Sequence, residues 1–263
     1  MLYLVATPIG NLKEITNRAI ETLQNVDYIL CEDTRTSRVL LDAYNIVKPL
    51  KSYHKFNETK SSVDIIEDLK AGKEIALISD AGMPGISDPG NILVNEVIKE
   101  NLDYTVVSGP SALINAFVLS GFATPFTFVG FLPDNNTKRY QLLENLKNVE
   151  NSLIFYCSPH ALLDDLKDLY QVLGDRKICV VREISKKFEE KTFSTLAEGY
   201  LGTIKGEFVV CIEKPEKVST LSQNSIDEDL ETLLKMGISK ADASKVLAKA
   251  RGLKKNDVYK KTF

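Results

Sequence analysis

Short apolar runs alternate with stretches of helical period from the first residues onward. LYLVA (2–6) reads as a buried strand, and residues 15–26 as an amphipathic helix with Ile15, Ala19, Ile20 and Leu23 on one face. DYILC (27–31) reads as a second strand, followed by a helix over 34–44 and another over 62–69. EIALIS (74–79) and YTVVS (104–108) are further strands, each followed by a helix, over 92–99 and 111–119. Nearly every unit is strand then helix, which predicts a mostly parallel sheet covered on both faces.

The pattern changes over 120–133, where Gly121, Pro125, Gly130 and Pro133 punctuate a strand-like TFVGF. Beyond it the pattern predicts a helix over 140–146, the strand SLIFYC (152–157), a helix over 161–173 and the strand KICVV (177–181). FST (193–195) and EFVVCIE (207–213) suggest antiparallel strands. These shifts predict three parts: an α/β domain over 1–115, a second over 116–222, and a small helical unit over 223–263 joined by a polar linker near 214–223. In the last part Leu233, Leu234, Met236, Ile238, Ala241, Val246, Leu247 and Leu253 form the expected core. Gly237 and Gly252 interrupt its helices, and Ser239 can cap the second.

Composition adds little until its distribution is read. Hydrophobic residues make up 44% and charged residues 26%, as in ordinary globular proteins. The apolar runs are too short to span a bilayer, and no basic leader precedes the first strand, so the chain reads as cytoplasmic with no membrane association. Cys31, Cys157, Cys179 and Cys211 are scattered without a CxxC pair, which points to reduced buried thiols and to no metal site. The net charge is −3, yet residues 235–263 carry nine Lys/Arg against Asp242 and Asp257, a local balance of +7. A basic helical exterior formed by Lys245, Lys249, Arg251, Lys254 and Lys255, with Lys240, suits an RNA phosphate backbone. A solvated surface is the plainer alternative.

The densest punctuation is DAGMPGISDPG (80–90), which leaves the carboxyl end of a predicted buried strand. Open α/β sheets bind ligands there, and loops of this length are usually functional. ATPIGN (6–11) and SGPSA (108–112) leave strand ends in the same way, with Ser111 a candidate helix cap. Neither G-x-G-x-x-G nor a Walker A sequence occurs, which weakens both common nucleotide-binding readings. Asp33 and Arg35 also leave a strand end. They either face the cleft or form a helix cap with its surface ion pair. His160 reads as a structural histidine, and Lys186 and Lys187 as either a solvated run or phosphate contacts.

VATPIGNL (5–12), CEDTRTS (31–37), SDAGMPGISDPG (79–90), GPSA (109–112), GFLP (130–133), REISKKFEE (182–190), GEFV (206–209) and the tail SKADASKVLAKARGLKKNDVY (239–259) together carry a resemblance covering almost the whole chain. It is similar to the ribosomal RNA small subunit methyltransferase I family, of the tetrapyrrole-methylase superfamily. The resemblance implies two class III methyltransferase α/β domains, with an S-adenosyl-L-methionine cleft between them and a helical extension. It implies 2'-O-methylation of a cytidine ribose in 16S rRNA of the small ribosomal subunit, by a homodimer. By motif position, Pro8, Ala81, Gly82, Met83, Ile86, Ser111, Ala112, Tyr156 and Cys157 would hold the cofactor. Asp33, then Glu32, would serve as general base, and Arg35, Lys186, Lys187 and the tail cations would meet RNA. Met83, Cys157 and Ala161 depart from the expected pattern. Two alternatives stay open: a precorrin-type C-methyltransferase of the same fold, and a non-catalytic RNA-binding module.

Overall fold

The computed structural model describes residues 1–216 and 226–260; most of the expected linker lies outside the described residues. These divide into two compact units, Met1–Lys214 and Pro215–Phe263. The first holds two five-stranded sheets.

One sheet has the order β3-β2-β4-β1-β5, from β1 (Leu2–Val5), β2 (Tyr28–Cys31), β3 (Leu50–Ser52), β4 (Ile75–Leu77) and β5 (Tyr104–Val107), and every pairing is parallel. Its central strands are buried on both faces because they alternate between two apolar clusters. Leu2, Leu4, Leu30, Ile75 and Leu77 join the face covered by α3 (Glu58–Lys70) and α4 (Asn91–Lys99). Val5, Ile29, Cys31, Ala76 and Ile78 join the face covered by α1 (Asn17–Asn25) and α2 (Thr34–Ala43). Each fully buried Leu or Ile contributes about 1.5–3 kcal/mol, and a one-residue slip would invert the pattern.

The second sheet has the order β6-β7-β10-β8-β9, from β6 (Phe126–Phe131), β7 (Ser152–Cys157), β8 (Lys177–Arg182), β9 (Glu190–Thr195) and β10 (Phe208–Ile212). β6 and β7 are parallel, and the remaining pairings are antiparallel, as the closing strands of the sequence suggest. Between the sheets runs α5 (Ala112–Ser120). It starts at the end of β5, yet packs Ala116 and Phe117 against Ile154, Cys179, Val209 and Cys211 of the second sheet. The other face is covered by α6 (Asn136–Leu146) and α7 (Leu162–Leu173), tied by Arg139 to Asp165 and Asp168.

The second unit has α8 (Ile226–Lys235), α9 (Lys240–Arg251) and α10 (Lys255–Lys260). Ser239 caps α9 by accepting from the Asp242 amide, and Gly252 ends it at φ +65°. The core differs from expectation. Leu230, Ala243, Leu247, Ala248 and Val258 fill it, with Leu233, Leu234 and Ile238 at its margin. Ala241, Met236, Val246 and Leu253 are exposed instead; α9 turns Ala243, Ser244, Leu247 and Ala248 inward, which sets Ala241 and Val246 on the other side. Arg251 is not on the basic exterior. It pairs with Asp229 of α8, a contact that fastens two helices of the unit. No helix of the described residues is long and apolar enough to cross a membrane.

Candidate active site

The four loops that leave the carboxyl ends of β1, β2, β4 and β5 meet at one edge of the parallel sheet. Two are stitched together by backbone: the Thr7 amide donates to the Gly82 carbonyl at 2.8 Å, and the Gly82 amide returns to Thr7 at 3.1 Å. The buried Thr7 hydroxyl donates to the Ser79 carbonyl at 3.2 Å. Gly82 sits at φ +78°, where a side chain is strained, and a Cβ there would stand 3.3 Å from Ile9 Cγ2. At the far end of the same loop, the Gly90 amide donates to the buried Glu58 carboxylate at 2.9 Å. Gly109 packs so close that a Cβ would lie 2.8 Å from Ala6 Cβ, which seats the third turn against the first.

These loops and the second sheet enclose a cavity of about 430 Å³. Ala81, Gly82, Met83, Ile86, Ser111 and Ala112 border it from the first sheet's side, and Tyr156 and Cys157 from the second, all expected positions. Pro8 does not border it; it is buried behind the wall, and Ile9 takes that place. Ser111 stands at the N-cap of α5 with extended backbone but makes no side-chain cap bond, so its hydroxyl does not serve the helix. Tyr156 packs against Phe128 and Phe131, with ring centroids 5.0 and 5.5 Å apart, and burial pushes its phenol up to about 12. The Cys157 thiol is raised well above its ordinary value by burial and by Asp165. It belongs to the cluster on the opposite face of the sheet, so Cys157 borders the cavity only at the strand's end.

Four carboxylates border this largely apolar space: Glu32, Asp80 and Asp88, and on the second sheet's side Glu207, which pairs with Lys186. Asp88 is pushed up to about 6, first by burial and then by the charges of Glu32 and Asp80. Burial likewise raises Glu32 and Asp80. Asp33 behaves differently. It caps α2 by accepting from the Arg35 amide at 2.8 Å, and its carboxylate takes two further bonds from the Arg35 guanidinium, at 3.1 and 2.7 Å. Those bonds hold its carboxyl down at about 2, and it borders a separate surface hollow. The helix-cap alternative for Asp33 and Arg35 is thus the arrangement present, and a carboxylate so strongly stabilised is a weak base.

Sequence reasoning passed over Asp80, Asp88, Ile184 and the Glu207-Phe208-Val209 edge of the cavity. The two aspartates lay inside the loop it singled out, but nothing in the sequence marks which acids share a low-dielectric space. His160 is exposed and outside the cavity lining. Lys186 is engaged by Glu183 at 2.9 Å and Glu207 at 3.0 Å, with its stem beneath Gly10, so it ties β1's loop to the second sheet and does not reach outward for phosphate. Lys187 is exposed, as are Lys245, Lys249, Lys254 and Lys255, on their own unit. Among the described residues no set of three or more His, Cys, Asp or Glu is arranged to hold a metal ion.

Comparison with known proteins agrees with this geometry. Residues 1–199 match the model of the tetrapyrrole (corrin/porphyrin) methylases. The uroporphyrin-III-C-methyltransferase of Thermus thermophilus superposes with a TM-score of 0.57 at 16% identity, over 81% of this chain and 94% of that one. Diphthine synthase superposes with a TM-score of 0.62 at 11% identity, over 81% and 89%. At such identities these share the fold alone. Sequence relatives are much nearer. The ribosomal RNA small subunit methyltransferase I of Halalkalibacterium halodurans is 42% identical over 98% of this chain and 93% of its own length. Its counterpart in Mycoplasmopsis pulmonis is 50% identical over 80% and 96%. The chain therefore belongs to the ribosomal RNA small subunit methyltransferase I family, within the tetrapyrrole methylases.

Proposed function

We propose that this protein methylates a ribose 2'-hydroxyl of a cytidine in 16S rRNA, using S-adenosylmethionine, and that it works in the cytoplasm as a homodimer. The observation that carries the proposal is the apolar cavity at the meeting of three glycine-bearing loops, bordered by Glu32, Asp80 and Asp88. The fit to the cofactor is one of size, wall and charge. Ile9, Met83, Ile86 and Val209 suit its apolar parts, Tyr156 offers a ring face for adenine, and the carboxylates suit a positively charged ligand. Ala81, Gly82 and Met83 would hold it by backbone at a place where Gly82 admits close approach.

S-adenosylmethionine supplies, when bound, a methyl group on an already positive sulfur. The chain's own task is then to position the acceptor oxygen, which is worth roughly 7–11 kcal/mol in well-aligned reactions. The hydroxyl also has to lose its proton. Glu32 is the base we assign, since burial raises its carboxyl above the ordinary range and it borders both the cavity and the neighbouring hollow. The basic helical unit would add affinity for the subunit through phosphate contacts.

The test is transfer of labelled methyl groups to small ribosomal subunits lacking the modification, in parallel with a precorrin. Label on a cytidine ribose of the subunit is expected. Label on the precorrin alone would reassign the substrate, and failure of calorimetry to detect cofactor binding would leave only an RNA-binding module.

A further inference from the structure

Phe56 is 93% exposed. Scattered apolar side chains are common on surfaces, so exposure alone carries nothing. The backbone beneath it is more telling. Tyr53 is fully buried and donates its amide to Cys31 at 2.8 Å, which fixes one end of the turn in the sheet. The His54 amide donates to Asn57 Oδ1 at 2.8 Å, the Phe56 amide to His54 Nδ1 at 3.3 Å, and Asn57 Nδ2 to the Ser52 carbonyl at 3.0 Å. The His54 ring meets Phe56 edge-on at 6.1 Å. The phenyl ring is thus presented to solvent on a turn braced by its own side chains.

Its surroundings carry charge of both signs. Phe56 and Lys55 border the surface hollow, of about 530 Å³, together with Arg35, Ser52 and His54. Lys55 is exposed and makes no ion pair among the described residues, and the Arg35 side chain is 90% exposed while Asp33 orients its guanidinium. Glu32 and Asp80 also border this hollow, and both border the loop-lined cavity as well. A flat ring, two outward cations and two acids shared with the next cavity make the complement of one unstacked nucleotide. A ring face accepts a base, the cations accept phosphate oxygens, and carboxylates accept hydrogen bonds from ribose hydroxyls.

We propose that the hollow is the seat of the acceptor nucleotide, with its base stacked on Phe56, its phosphates at Lys55 and Arg35, and its ribose turned toward Glu32 and Asp80. This rests on the RNA-methylation reading above and adds the side from which the substrate enters. It also requires the target to be unpaired or extruded, since a base within a duplex has no free face to offer.

The test uses a property of the chain: it contains no tryptophan. Phe56→Trp keeps a stacking face and introduces one fluorophore. Its emission, in the presence of S-adenosylmethionine, should be quenched on adding hexacytidylate or undermodified small subunits. Phe56→Ala and Phe56→Leu should lower kcat/KM for the subunits by about 5- to 150-fold, the range of one lost base stack. Cofactor affinity should stay at the wild-type value in both, and Phe56→Trp should restore the rate. Because the side chain is exposed, none of these changes should disturb folding. Unchanged kcat/KM in Phe56→Ala, or full activity in Phe56→Leu, overturns the stacking role. If the wild-type protein transfers no methyl group to subunits, the broader function fails. Quenching by hexacytidylate would then still uphold the platform, and its absence would overturn it.

Discussion

Asp88 allows a quantitative test of the cavity's charge. Its carboxyl stands at about 6 because burial, Glu32 and Asp80 all disfavour a negative charge there, against an ordinary value of 3.8. A cationic ligand in the same space favours the charged form and pulls the carboxyl back down. Binding therefore releases a proton wherever Asp88 was protonated beforehand, and affinity rises with pH up to about 6 and then levels off. If the carboxyl in the complex falls well below 5, affinity for S-adenosylmethionine should drop about tenfold from about pH 7 to about pH 5. Near pH 6 about half a proton should leave per ligand bound. Glu32 and Asp80 are raised as well, so they would steepen the slope without reversing it. The ligand's own amino and carboxyl groups titrate mostly outside this window. Calorimetry in two buffers of different protonation enthalpy reads the proton directly, and Asp88→Asn should remove most of the buffer dependence. A wild-type affinity that is flat between those pH values, with no proton released, would refute the reasoning. So would an undiminished slope in the Asp88→Asn variant.

Glu32→Gln should lower turnover by about 10²–10⁴-fold while leaving cofactor affinity within a few-fold, as single-turnover methyl transfer would read. Asp33→Asn, which touches the α2 cap, should instead leave single-turnover rates near wild type and lower the melting temperature; the opposite ranking would return the base to Asp33. Gly82→Val forces a branched side chain to φ +78° beside Ile9. It should cost about 1–3 kcal/mol of stability and abolish cofactor binding, and normal calorimetric binding by the folded variant would remove the loop from the site. Deleting 226–263, which lie within a compact unit of their own, should spare cofactor binding but weaken subunit binding at low salt, with the deficit shrinking as salt rises. Equal affinities at low salt would make the tail a solvated appendage.

How much the sequence reveals depends on how far apart the deciding residues lie. The buried strands were legible because parallel strands covered on both faces are continuous apolar runs, and their ends were legible because Gly and Pro cluster there. β3 was missed because a three-residue edge strand, Leu-Lys-Ser, has no such run. α3 begins at Glu58 and not at 62, since its first turn is polar and shows no period. α6 begins at Asn136 because the Asn135 side chain accepts from the Lys138 amide, a cap hidden among other polar residues. The loops that build the cavity were visible locally. The environments of the acids were not: Asp33 is held ionised by a neighbour two positions away, whereas Asp88 is raised first by burial and then by Glu32, far earlier in the chain. In the tail, Arg251 reads as one more surface cation until Asp229 is brought beside it.

The four buried cysteines have a use that their packing creates. Burial raises the thiols of Cys31, Cys179 and Cys211, the latter two to about 11 and about 12, and holds that of Cys157 well above its ordinary value. At neutral pH hardly any thiolate exists in the closed protein, so alkylating reagents have almost nothing to attack. Modification must wait for a strand to open, and its rate then counts openings. Cys31 lies in the parallel sheet, while Cys157, Cys179 and Cys211 lie in the mixed one. Mass mapping of alkylated peptides over time would therefore time the breathing of each sheet separately, in the unaltered protein, with and without its ligand.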